Sequence, residues 1–68
     1  MEMTDLQNFV NGFGLGISKE ELASKAYNAM EALGHKVVIL NSKYLIVDEI
    51  EYQFTKSRKQ GAWIVKEI

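Results

Sequence analysis

The chain has 68 residues, of which 47% are hydrophobic and 25% are charged, and its net charge at pH 7 is −1. This composition predicts a single folded domain over residues 1–68, and it argues against a disordered protein and against a broadly basic nucleic-acid-binding protein. No apolar run approaches the length of a membrane span. The N-terminus lacks the basic and apolar regions of a signal peptide, and the absence of cysteine fits a reducing compartment, so we expect a cytoplasmic protein.

The small size of the domain raises the question of what supports its core. A domain of this length buries only about 60% of the surface of its unfolded chain, and such domains usually add disulfides, a metal or a partner subunit. The sequence has no cysteine and one histidine, which excludes disulfides, thiolate metal sites and histidine clusters. We therefore expect no metal and no cofactor, and oligomerisation remains as the support.

The first recognisable element is a short apolar pattern near the N-terminus. Its residues follow at helical spacing, and Gly12 would end a helix at Asn11; they are Leu6, Phe9, Val10 and Phe13. Such a helix has about two turns and is marginal without docking. An extended strand through Phe9 and Val10 is the alternative.

The main helix is predicted from Ser18 to Gly34. Ser18 and Glu21 have the spacing of a capping box at its start, and Gly34 provides the residue that ends it. Between them an apolar stripe recurs at helical spacing, formed by Leu22, Ala26, Ala29, Met30 and Leu33 and widened by Ala23 and Tyr27. We expect this stripe to pack against the protein's own sheet.

Three strands are predicted after the helix. Residues 36–40 form the first strand, which a tight turn at Asn41-Ser42 joins to a long second strand over residues 44–56. On this second strand one face alternates apolar residues, namely Tyr44, Ile46, Ile50, Tyr52 and Phe54, with a bulge or bend near Asp48-Glu49. A loop of four or five residues leads to the third strand, residues 62–68, so its register stays open. The fold class is α+β, with one main helix followed by a three-stranded antiparallel sheet (α-β-β-β).

Two features of this sheet predict a partner. All eight positions of Val37–Leu40 and Tyr44–Val47 are apolar, so both sheet faces need a cover, and residues 5–17 or a second copy must provide the second cover. A second strand of 13 residues would span about 40 Å, against about 22 Å for the helix, which leaves the aromatic far end without a helix to lie under.

We therefore expect a homodimer. Its self-association surface combines the apolar strand residues with the aromatic end of the sheet, and it comprises Val38, Leu40, Leu45, Val47, Tyr52, Phe54 and Trp63. The helix followed by VVILNSKYLIVDEIEYQF and GAWIVKEI resembles the small Yopt family of uncharacterised bacterial and prophage proteins, which is distinct from the secreted protease of similar name. The resemblance implies one helix and three strands per chain, a homodimer and no assigned activity.

Catalytic chemistry is not indicated. The acidic cluster Asp48, Glu49 and Glu51 divides between two strand faces, which is typical of a solvated segment rather than of a carboxylate pair in a cleft. His35 follows the helix, and nothing in the sequence places a serine or an acid within its reach. The alternating glycines 12, 14 and 16 do not match the dinucleotide-binding fingerprint, since no strand precedes them. We expect no catalytic residue and no small-molecule substrate.

The basic residues Lys56, Arg58 and Lys59 lie beside Trp63 around the second loop. A basic hairpin tip with an aromatic residue is a pattern that nucleic-acid-binding proteins use. The sequence thus predicts a small non-enzymatic protein that self-associates and acts by binding another macromolecule. The alternative is a nucleic-acid-binding accessory protein that uses this tip.

Overall fold

In a computed structural model that describes residues 4–41 and 43–68, the protein consists of two helices followed by a four-stranded antiparallel sheet. The sheet follows chain order, β1-β2-β3-β4. The elements are α1 (Thr4–Asn11), α2 (Lys19–Ala32), β1 (Val37–Leu40), β2 (Tyr44–Val47), β3 (Ile50–Ser57) and β4 (Ala62–Glu67). The α+β class agrees with the sequence prediction, whereas the sheet has one strand more than predicted.

The additional strand comes from a chain reversal at Asp48-Glu49. The predicted long strand over residues 44–56 is wrong, because Val47 pairs with Ile50 and the two residues between them form a hairpin turn. Asp48 and Glu49 have φ values of 51° and 73°, the positive values that a two-residue type I′ turn requires. The Asp48 carboxylate accepts a hydrogen bond from the Lys36 amide at 3.1 Å, and the Asp48 amide donates to the Lys36 carbonyl at 2.9 Å.

The turn also changes which residues share a face. Tyr44 and Ile46 lie on one face of the sheet, and Ile50, Tyr52 and Phe54 lie on the other, because Val47 and Ile50 are opposite each other across the turn. The predicted single alternating face is therefore wrong. The longest dimension of the molecule is 30 Å, so the sheet has no far end of the predicted length.

The main helix agrees closely with its prediction. The Glu21 amide donates to the Ser18 hydroxyl at 3.1 Å, and the chain leaves the helix through Gly34 at φ 95°. The His35 amide donates to the Met30 carbonyl at 3.1 Å, as in a Schellman motif. Leu22, Ala23, Ala26 and Met30 are buried. Leu33 is an exception to the predicted stripe, since it is 62% exposed at the C-cap.

The N-terminal segment forms a helix, and its alternative as a strand is wrong. Leu6 and Val10 of α1 are fully buried, and they belong to the same core as α2 and one face of the sheet. Both helices therefore lie on one side of the sheet, where the core comprises Leu6, Val10, Leu22, Ala23, Ala26, Met30, Leu45, Val47, Tyr52, Phe54 and Trp63.

The turn between β3 and β4 is described in full, and the turn between β1 and β2 is described in part. Ser57 pairs with Ala62, so the loop between β3 and β4 has four residues and ends at Gly61, whose φ is 64°. This register places Trp63 and Val65 on the helix side. In the turn between β1 and β2, Asn41 has a φ of 52°, while the predicted turn residue Ser42 lies outside the described residues.

Candidate interaction surface

The side of the sheet that faces away from the helices carries an apolar patch on β1 and β2. Val38 is opposite Ile46, and Leu40 is opposite Tyr44. Along β2, Tyr44 and Ile46 alternate with Leu45 and Val47, which point into the core. Val38 is 47% exposed, and Ile68, beyond the end of β4, is 63% exposed. We call this side the open face; it comprises Val38, Leu40, Tyr44, Ile46, Glu51, Gln53, Thr55, Ile64, Lys66 and Ile68.

The structure divides the predicted self-association residues into two groups. Val38 and Leu40 lie on the open face. The other five are at most 2% exposed within the monomer, so they cannot contact a second copy in this conformation; they are Leu45, Val47, Tyr52, Phe54 and Trp63. The reason is that α1 packs against β4, and its Leu6 and Val10 share one buried core with the aromatic residues that the prediction left without a helix.

Sequence reasoning missed Tyr44 and Ile46 as members of this surface. Both belong to the uninterrupted apolar run of β2. The run showed that both faces of the strand are apolar, but assigning each residue to a face needed the chain reversal at Asp48-Glu49. With that turn in place, the open face is the second face that the sequence analysis expected to be covered.

The segment before α2 does not provide that cover. Gln7 of α1 holds the outer edge of β4 instead: its side-chain oxygen accepts from the Val65 amide at 3.0 Å, and its nitrogen donates to the Trp63 carbonyl at 3.4 Å. A side-chain amide has the donor and acceptor that a neighbouring strand would offer. Gln7 therefore closes this sheet edge, and α1 fills the helix side of the molecule.

The other edge of the sheet is β1. The Lys36 carbonyl points towards β2, where it accepts from Asp48, so the alternation of an antiparallel ladder directs the backbone groups of Val37 and Ile39 away from the sheet. Among residues 4–41 and 43–68, no hydrogen bond to these outward groups occurs. The two sheet edges are thus unequal, with β1 more accessible to a further strand.

The basic hairpin tip is less suited to nucleic acid than the sequence indicated. The Lys56 ammonium lies 5.4 Å from the centre of the Trp63 ring, and Trp63 is only 2% exposed. A base cannot stack on a buried ring. Arg58 and Lys59 are exposed in the loop, so the tip offers positive charge without an aromatic platform.

An open depression of about 590 Å³ lies beside this tip, between the start of α2 and strands β3 and β4. Ser18 and Lys19 line it from the helix, and Lys56 and Trp63 line it from the sheet. The indole nitrogen of Trp63 is buried without a hydrogen-bond partner among the described residues. Among these groups the Ser18 hydroxyl accepts from the Glu21 amide, and no hydrogen bond between it and a base occurs in the described residues.

His35 joins three elements through two aspartates. Its Nδ1 atom lies 2.7 Å from Asp48 Oδ2, and its Nε2 atom lies 3.0 Å from Asp5 Oδ2. The expectation that no acid lies within reach of His35 is therefore wrong. The hydrogen bond to Asp48, followed by that to Asp5, raises the pKa of His35 above 6.5. The hydrogen bonds from His35 and from the Lys36 amide lower the pKa of Asp48 below 3.8.

This cluster has the geometry of an ion pair rather than of a metal site. Each ring nitrogen of His35 faces one carboxylate, so the imidazole separates the two acids instead of converging with them on a common point. Within the described part of the chain, no group of three or more histidine, cysteine, aspartate or glutamate side chains is arranged to hold a metal ion.

Comparison with family models, with curated proteins and with solved structures gives no match for this chain. The resemblance to the Yopt family therefore stays a prediction, and the function must be argued from the site itself. No helix in residues 4–41 and 43–68 combines the length and the apolar character that crossing a membrane requires.

Proposed function

We propose that this is a non-enzymatic cytoplasmic protein that forms a homodimer through the open face and acts by binding another macromolecule. The observation that carries the proposal is the apolar patch of Val38, Leu40, Tyr44 and Ile46, of which Val38 is exposed and the other three are half-buried in the monomer. A helix-covered antiparallel sheet normally presents polar residues on its second face. Four apolar residues on two adjacent strands instead favour burial against a partner, at about 25 cal/mol for each Å² of apolar surface removed from water.

A second copy of the chain is a partner that is present wherever the protein itself is present. A homodimer interface is self-complementary, because each copy contributes the same patch. The small core of the monomer adds to the argument, since a domain of this size gains stability from a subunit interface.

The non-enzymatic part of the proposal is supported by what the reactive side chains do. Both ring nitrogens of His35 are occupied by aspartates that hold α1 and the Asp48-Glu49 turn in place. The open face itself carries hydrocarbon, amide and hydroxyl groups with one acid and one base, a composition suited to binding. We place the contact with a further macromolecule at the edge of β1, where a partner strand would find the outward backbone groups of Val37 and Ile39.

The alternative is nucleic-acid binding through Lys56, Arg58 and Lys59. The exposed positive charges of Arg58 and Lys59 support it, whereas the burial of Trp63 removes the stacking contact. Phosphate binding weakens steeply with salt, and apolar association does not. A dimer that persists in about 0.5 M salt, with no salt-sensitive binding to single-stranded or duplex oligonucleotides, would favour self-association over this alternative.

The test of self-association is the solution mass, measured by light scattering coupled to size exclusion over a hundredfold dilution. We expect a mass approaching twice 7.7 kDa at the highest concentration. Val38→Lys places a charge on the open face and should return the mass to that of a monomer. Leu33→Lys is the matched control, since Leu33 is also exposed but lies on the helix side. A wild-type mass near 7.7 kDa throughout would overturn the proposal.

A further inference from the structure

We propose that the two copies pack open face to open face around a two-fold axis that runs across the strands, so that Glu51 of each copy pairs with Lys66 of the other. This inference rests on the proposed self-association and specifies its geometry. It follows from the strand register, from the distribution of charge on the open face and from the symmetry of a homodimer.

The register arranges the open face in two rows that cross all four strands, and Thr55 and Ile64 lie beyond them on β3 and β4 alone. The first row runs from β1 to the end of the chain through Val38, Ile46, Glu51 and Ile68. The second row lies two residues along each strand and runs through Leu40, Tyr44, Gln53 and Lys66. In both rows the β1 and β2 positions are apolar. The acid is in the first row and the base is in the second, on the adjacent strands β3 and β4.

Two orientations of the dimer axis bring these faces together with their strands nearly aligned, as stacked sheets prefer. An axis across the strands exchanges the two rows and keeps each strand above its own copy. An axis along the strands keeps each row above itself and exchanges β1 with β4 and β2 with β3. The two orientations therefore oppose different residues.

The axis across the strands keeps the apolar residues of β1 and β2 together and brings the opposite charges of β3 and β4 close to each other. It places the apolar residues of β1 and β2 against those of the other copy, with Val38 over Leu40 and Ile46 over Tyr44. On β3 and β4 it lays the first row over the second, so Glu51 lies over Gln53 and Ile68 lies over Lys66 of the second copy. Glu51 is then the diagonal neighbour of that Lys66, and the symmetry repeats this pair. Oppositely charged neighbours across an interface favour the orientation that joins them.

The same strand register makes the axis along the strands unfavourable. It lays Glu51 over Ile46 and Lys66 over Leu40, which withdraws both charges from water against hydrocarbon without a partner. Burying an unpaired charge costs far more free energy than burying a paired one. The distribution of Glu51 and Lys66 thus selects the axis across the strands.

The size of the surface sets the expected strength of the dimer. Four strands at about 4.8 Å spacing and five residues at about 3.3 Å give an outline of about 300 Å² per copy. A standard interface buries about 800 Å² per partner. We therefore expect a dimer that dissociates on dilution, which places its dissociation constant within the range of light scattering and sedimentation.

The test uses two variants with opposite charge changes, Glu51→Lys and Lys66→Glu, measured separately and as an equimolar mixture by sedimentation equilibrium. Each variant alone opposes like charges twice across the axis and should dimerise about tenfold more weakly than the wild type. A mixed dimer contains one copy of each variant, so both cross-axis contacts again join a lysine to a glutamate. We expect the mixture to recover wild-type affinity.

The opposite changes in net charge also favour association of the two variants, so the mixing experiment needs a control. Each substitution changes the wild-type charge of −1 by two, so Glu51→Lys and Lys66→Glu attract each other at long range. Glu31→Lys and Lys25→Glu form a matched pair with the same net charges, since Glu31 and Lys25 are both exposed on α2. These controls should each dimerise as the wild type does, and mixing them should add little at physiological salt, where separated charges are screened.

The outcomes separate the geometry from the self-association on which it rests. Recovery in the mixture of Glu51→Lys with Lys66→Glu, absent from the control mixture, supports the axis across the strands. If the wild type dimerises and both variants dimerise more weakly without recovery on mixing, this geometry is overturned and the homodimer stands. The same conclusion follows if neither variant weakens the dimer. A monomeric wild type overturns both proposals.

Discussion

The imidazole of His35 lies 2.7 Å from the carboxylate of Asp48, and the same carboxylate accepts the Lys36 amide at 3.1 Å. One aspartate thus secures its own turn, the end of α2 and the start of β1. Since Asp5 binds the other ring nitrogen at 3.0 Å, the protonated histidine also ties α1 to the rest of the fold. Only the imidazolium can donate to both acids, because a neutral ring has one N–H.

Stability should therefore depend on pH in a window that these pKa values define. The pKa of His35 is raised above 6.5, mainly by Asp48, so its contribution is complete below about pH 6.5 and is lost as the pH rises through the higher folded value. The pKa of Asp48 is lowered below 3.8, mainly by His35, so its contribution is present above that value and is lost in stronger acid. We therefore expect the midpoint temperature of thermal unfolding to decrease as the pH is raised above about 6.5.

Asp48→Asn provides the specific control for this pH dependence. Asparagine tolerates a positive φ as aspartate does, so the turn is preserved while the charge is removed. The slope of the unfolding midpoint above about pH 6 should decrease in this variant. An unchanged slope in Asp48→Asn would assign the pH dependence to other groups.

The Gln7 side chain should protect the edge of β4. Gln7→Ala removes the bonds to Val65 and Trp63 and should lower the free energy of unfolding by about 1–2 kcal/mol, since a part-buried backbone group loses its partner. Hydrogen exchange of the Val65 amide should accelerate with it. Asn8→Ala, an exposed position on the same helix, is the control in urea unfolding. Equal losses in the two variants would contradict a specific role for Gln7.

The Asp48-Glu49 turn predicts a stabilising substitution. Glu49 has a φ of 73°, which strains a residue with a side chain and suits glycine. Glu49→Gly should raise the free energy of unfolding by about 0.5–1 kcal/mol. Glu51→Gly should lower it, because Glu51 lies within β3 and glycine weakens a strand. If residues 44–56 formed a continuous strand, Glu49→Gly would destabilise the protein as well.

Features that are set by residues close together in the sequence were predictable, whereas contacts between distant residues were not. The start and end of α2 were predictable, since Ser18 acts on a residue three positions away and Gly34 acts on its own backbone. The break at Asp48-Glu49 was predicted only as a bulge or bend and not as a chain reversal, because the turn contains no glycine and is held by Lys36, which lies 12 positions away. The bonds of His35 to Asp5 and Asp48 span 30 and 13 positions, and no pattern in the sequence marks them.

The same difference between local patterns and long-range contacts explains which residues of the candidate surface could be predicted. The apolar character of both faces of β1 and β2 is a local property that the sequence shows directly, and the structure places Val38 and Leu40 on the open face. The burial of Phe54 and Trp63 depends on the docking of α1, from the opposite end of the chain. That docking relies on Gln7 and on Asp5, and neither contact can be derived from residue spacing.

The final prediction concerns the basic hairpin tip. Replacing Lys56, Arg58 and Lys59 together by glutamine removes the positive charge on which the nucleic-acid alternative depends, while the open face is unchanged. We expect the dimer affinity measured by sedimentation to equal that of the wild type. The single variant Lys56→Gln should lower the free energy of unfolding by about 0.5–1 kcal/mol, since the cation–π contact with Trp63 is lost. Arg58→Gln lacks such a contact and serves as its control. A triple variant that no longer dimerises would instead place the tip, rather than the open face, at the subunit interface.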